Sequence, residues 1–217
     1  MDWEAHADRE EGRYRDGVGR LPDAPDGRQK QLVRVAMAAG GAGLARLMQA
    51  RRGEAAGWFA RSAERYRESW DGAPPGSWGR LIGAVKSRIL AGDWERAADD
   101  ARWAIEEDAG EADSPIGAYA AALAYLTLGE DENAALLAQG LRDADFPPTV
   151  AAALAALAAG DGDAYADAIA RVLDSFETRG DYLEDIPVAD TVLVLEALAA
   201  RRGLAVGPRS ALLPDRT

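Results

Sequence analysis

The sequence predicts an all-α fold made of antiparallel helical hairpins, and three observations carry that expectation. From residue 28 onward apolar side chains recur at spacings of three and four, as in Leu32, Val35, Ala36, Ala39, Leu44, Leu47 and Met48. Almost nothing alternates with period two, and valine and isoleucine lie inside the helical patterns. Glycines at 53, 92, 129, 160 and 203 each end an apolar run, at spacings of 39, 37, 31 and 43 residues. The first four are followed at once by Asp or Glu, so a left-handed helix stop precedes an acidic helix start.

The elements follow from these breaks. Residues 1–27 mix charges with Gly12, Gly17, Gly19, Pro22, Pro25 and Gly27, which predicts an irregular or partly helical segment. A short helix over 3–15 is the most it supports. The remaining residues, 28–217, read as one helical-repeat domain. Helices over 28–52 and 54–71 turn at Gly53. After Pro74-Pro75, helices over 77–91 and 93–108 turn at Gly92. Pro115 opens the pair 115–128 and 130–143, and Pro147-Pro148 the pair 147–159 and 162–178. Pro187 opens a last helix over 187–202, apolar nearly all round, before an extended tail.

Composition removes whole classes of function. The 217 residues are 48% hydrophobic and 29% charged, which is the balance of a folded chain with a core. There is no cysteine and a single histidine, so zinc fingers, thiol nucleophiles and Ser-His-Asp triads are out of reach. No nucleophile stands beside a base in a motif; the expectation is no enzyme, no cofactor and no metal. A net charge of −12 disfavours nucleic acid, which needs a basic stripe. No apolar stretch is long enough for a membrane span, and the acidic N-terminus lacks a secretory signal, so a cytoplasmic location is expected. Only Lys30 and Lys86 are lysine among 25 basic residues, a bias that fits either a high-salt interior or a GC-rich genome.

The segment Ile89-Leu90-Ala91-Gly92-Asp93-Trp94-Glu95-Arg96-Ala97 resembles the turn of a tetratricopeptide repeat. Leu128-Gly129-Glu130-Asp131-Glu132-Asn133-Ala134 repeats it, with Ala138 and Pro147 near the family's offsets. The resemblance extends over about residues 40–178, with degenerate pairs at Gly53 and Gly160. It implies a tetratricopeptide-like array of hairpins that binds a protein partner. In the family's register the concave groove would take Ile82, Lys86 and Ile89, then Tyr119, Leu123 and Leu126, then Val150, Leu154 and Leu157. Such a wall is apolar except for Lys86, and a bare patch of that kind needs a cover. The last helix is the expected cover, which makes the array closed by its C-terminal helix. A homodimer or an apolar partner helix is the alternative.

The tail Leu198-Ala199-Ala200-Arg201-Arg202-Gly203, with Ser210-Ala211-Leu212-Leu213-Pro214, resembles the end of an all-helical immunity-protein family of bacterial polymorphic toxin systems. That likeness implies an inhibitor that neutralises a toxin by binding.

Other constellations read as follows. Glu177, Arg179, Asp181, Tyr182, Glu184 and Asp185 gather outside the repeat pattern and are the candidate partner-binding residues. The same acidic loop is the basis of a third reading, a small-molecule-binding or hydrolytic enzyme. Asp190 and Glu196 lie among apolar neighbours and should be paired, with Arg179 or Arg201 as candidates. Gly41-Ala42-Gly43 lacks the strand and third glycine of a dinucleotide loop, so it predicts close helix contact. A calcium loop from Asp161 fails because Ala166 and Val172 stand where glycine and glutamate are needed, which leaves a capped turn. His6 reads as a surface residue. The tryptophans, Trp58 with Phe59, Ser62 and Tyr66 above all, read as core and hairpin packing.

Overall fold

A computed structural model describes residues 1–111, 113–182 and 185–215. Among them the regular elements are all helices: α1 (Trp3–Gly19), α2 (Pro25–Met48), α3 (Arg52–Glu68), α4 (Gly79–Ala91), α5 (Trp94–Glu106), α6 (Pro115–Leu128), α7 (Asp131–Arg142), α8 (Pro148–Ala159), α9 (Gly162–Glu177) and α10 (Asp190–Ala200). The all-α expectation holds, and the hairpin boundaries fall within a few residues of those expected. The chain divides into two compact units. One comprises residues 1–93, 180–188 and 209–217, and the other 94–179 and 189–208.

In the first unit α1 packs on α2, α2 on α3 and α3 on α4, so chain neighbours are space neighbours. Small residues set the approach of these helices. A Cβ on Gly43 would lie 2.7 Å from two carbons of the Phe59 ring. On Gly41 it would lie 2.8 Å from Ile186 Cδ1 and 3.1 Å from Glu10 Cγ. On Gly83 it would lie 2.5 Å from the Tyr66 ring. The Gly41-Ala42-Gly43 segment is therefore a helix contact, as expected from its sequence.

α1 runs seventeen residues, four beyond the expected stop at 15. Asp2 caps it through a 3.0 Å bond from the Ala5 amide to Oδ1. Gly17, read as a breaker, is instead the point where α1 meets Val35 of α2. The expected break at Gly53 is also displaced. Ala50 takes the left-handed conformation (φ 59°), and Gly53 is the second residue of α3.

In the second unit α5 packs on α6, α6 on α7, α7 on α8, α8 on α9, and α10 on both α8 and α9. Gly129 and Gly160 cap α6 and α8 in the left-handed region, with φ 80° and 66°. Gly92 caps α4 of the first unit in the same way, with φ 73°. Asp161 accepts from the Ala164 amide at 3.0 Å, so the rejected calcium loop is the N-cap of α9. α10 is shorter than expected at both ends. Residues 187–189 lead into it and residues 201–203 turn out of it, with Gly203 at φ 71°.

Candidate partner-binding surface

The loop residues singled out from sequence do not form one cluster within a unit. Glu177 and Arg179 are exposed at the end of the second unit's α9. The Arg179 guanidinium lies 3.5 Å from the centroid of the Phe176 ring, and its Nε donates to the Ser175 carbonyl. Asp181, Tyr182 and Asp185 belong to the first unit, with the two carboxylates exposed and the tyrosine half-buried. Glu184 lies outside the described residues.

The groove-or-core candidates divide by burial. Ile89, Leu123, Leu126, Leu154 and Leu157 are buried. Ile82, Lys86, Tyr119 and Val150 are half-buried, and Tyr119 packs against Phe146 with ring centroids 5.2 Å apart. α10, the expected cover, lies against α8, the helix carrying Val150, Leu154 and Leu157.

Three expectations about polar and aromatic residues can be set against the structure. Glu196 was expected to pair with an arginine. Its carboxylate accepts from the Tyr165 hydroxyl at 2.9 Å and from the Val206 and Gly207 amides at 3.3 and 2.6 Å. Arg201 stacks over Trp94, 4.4 Å from the ring centroid. The Tyr165 ring is fully buried, and burial followed by the Glu196 charge holds its hydroxyl well above the ordinary tyrosine range. His6 is half-buried in α1 beside Trp3, with Nδ1 enclosed and no hydrogen-bond partner for it among the described residues. Of the six tryptophans only Trp103 is buried. The others are half-buried at helix edges, for example Trp58 between the Tyr14 ring and the Arg61 guanidinium.

Two polar centres in the first unit had no signal in the sequence. Arg46 on α2 is buried and holds Glu4 (2.8 Å), Glu11 (2.7 Å), Asp8 (3.4 Å) and Glu54 (3.5 Å), tying α1 and α3 to α2. The Glu4 hydrogen bond leads in raising the guanidinium pKa further above its usual value. The same bond pulls the Glu4 carboxyl down. Arg80 on α4 is buried against neutral acceptors, the Ser69 carbonyl at the end of α3 and the Gln29 side chain of α2. Burial lowers its pKa, while the carbonyl end of α3 favours the cation.

What distinguishes the surface is its charge. The second unit holds 20 acidic and 7 basic residues, a net −13, against 17 acidic and 18 basic in the first. In the second unit 15 of the acidic side chains are exposed against 6 of the basic ones. On α7 this surface contains an apolar side chain, Leu136, at 72% exposure. The Arg202 guanidinium binds Asp131 and the Leu126 carbonyl, which ties the start of α7 to the end of α6 and neutralises that one carboxylate. Glu130 and Glu132, on either side of it, remain exposed.

Comparison with known proteins leaves this geometry to stand by itself, since no family model, no curated protein and no solved structure matches the chain.

Proposed function

We propose that the chain is a non-enzymatic, protein-binding module of tetratricopeptide-like helical hairpins. The observation that carries this reading is the unbalanced exposed charge of the second unit. Fifteen exposed carboxylates against six exposed cations repel one another and lower stability. Such a surface is useful when it steers a partner of opposite sign, because complementary potential raises association rate and selects against wrong partners. A helical array whose elements pack on their chain neighbours is a rigid support for such a surface.

The experiment is affinity capture by the intact chain from its native cells at low and raised salt. The reading expects a stoichiometric protein partner whose association slows as salt screens the surface. Failure to recover any stoichiometric partner at either salt contradicts it.

A second reading is an immunity-type inhibitor that neutralises a toxin. It is favoured by the way the resembling tail is held. Glu196 binds the amides of Val206 and Gly207 in the second unit, and Leu213 is buried in the first, so each of these stretches of the tail is held within its own unit. Co-expression with a toxin encoded beside it, with growth as the readout, tests this.

A further inference from the structure

We propose that the outward face of α7 is the docking surface for a basic amphipathic helix that offers an apolar face beside its cations. The inference rests on the protein-binding reading above and deepens it by naming the face and the chemistry of the partner. Glu132, Leu136, Gln139, Gly140 and Asp143 are all exposed and recur at helical spacing, so they line one side of the helix over about 16 Å. Ala134, Ala138 and Leu141 face the other way and are buried.

The shape of this face is specific. Leu136 projects into solvent, while a Cβ on Gly140, one turn further on, would meet nothing within 4 Å. Glycine in a helix is less stable than alanine, and no neighbour in the described structure requires it there. The outcome is a projecting leucine beside bare backbone, which lets another molecule come close. Glu130 and Glu132 at one end, and Asp143 and Asp145 at the other, flank the leucine with exposed carboxylates.

The sign of the charge selects the occupant. A second copy docked symmetrically on this face would set Glu132 and Asp143 against their own kind. Anionic lipid and nucleic acid are repelled for the same reason. Arginines or lysines beside an apolar helix face fit both features.

The test uses the isotope-labelled full chain and a synthetic amphipathic helix with leucines on one face and arginines beside them. The controls are the same peptide with its leucines changed to serine and with its arginines changed to glutamate. The proposal expects amide shifts concentrated at 130–143 with the first peptide alone. Leu136→Glu should weaken binding about tenfold, a change of about 1.4 kcal/mol. Gly140→Ala should raise the melting temperature while weakening binding, a combination that a folding defect cannot produce. Equal binding of the serine peptide, shifts spread over all exposed carboxylates, or affinity unchanged in Leu136→Glu would each overturn it. A native partner retained by Leu136→Glu would overturn this inference and leave the general protein-binding reading intact. Recovery of no native partner would sink that general reading, whatever the peptide does.

Discussion

Replacing Gly43 with alanine pits two effects of opposite sign against each other, and the structure says which wins. Alanine is the better helix former by about 1 kcal/mol. At Gly43, however, the new Cβ would lie 2.7 Å from Cδ1 and Cε1 of Phe59 and 3.0 Å from Cζ. The Phe59 ring is only 1% exposed and packed in the core, so α2 and α3 must give way. Overpacking of this kind costs about 1–3 kcal/mol, and contact this short with a rigid ring belongs at the upper end. The net expectation is a loss of about 2 kcal/mol in urea unfolding. Gly140→Ala, with nothing within 4 Å of the new Cβ, should instead gain about 0.5–1 kcal/mol. In a Phe59→Leu background the Gly43→Ala penalty should largely disappear, a coupling of about 1–2 kcal/mol. If Gly43→Ala stabilises the chain as Gly140→Ala does, the close α2–α3 contact is not there.

Three further expectations concern other parts of the fold. Arg46→Met should cost about 2 kcal/mol, less than the ~3–5 of a fully buried pair because Glu4 and Asp8 remain half in water, and amide exchange should show α1 opening first. The Glu4 carboxyl is depressed by the Arg46 hydrogen bond, so its share of the stability is present above the unfolded carboxylate pKa and is lost as pH falls through the lower folded value. Gly129→Val and Gly92→Val should each cost about 1–2 kcal/mol from the left-handed backbone alone. Space around both is open, so the crowding that a tight turn suggests adds nothing, and equal melting of both variants with wild type would refute the strain. The Tyr165 pKa is raised, so its contribution is full below the unfolded tyrosine pKa of about 10 and falls away above it. Urea titrations across alkaline pH should show a steeper loss in wild type than in Tyr165→Phe.

Much of the fold was legible because its signals are local. Three-and-four spacing marks helices, and Gly92, Gly129, Gly160 and Gly203 each take the left-handed conformation their positions suggest. Gly53 misled because a neighbour, Ala50, adopts that conformation instead. Gly17 misled for a different reason: a glycine inside a helix that packs closely on another looks the same in sequence as one that ends it. The polar centres were illegible because their partners are distant along the chain. Arg46 meets residues of α1 some forty positions away, and nothing in its own neighbourhood announces that. Glu196 was correctly read as needing partners, but the backbone amides that satisfy it have no residue signature. The charge asymmetry could have been found by counting, had the unit boundaries been known. Leu136 could not, since an apolar residue at helical spacing reads as core until its exposure is seen.

Placing a photo-crosslinking residue at two alternative positions in the intact chain tests the central claim most directly. Gln139 stands exposed on the outward face of α7, and Lys86 stands at the charged place of the expected groove. In native cells the account predicts a protein adduct from position 139, lost when Leu136→Glu is added, and none from position 86. An adduct from position 86 with none from position 139 would contradict it and return partner binding to the groove.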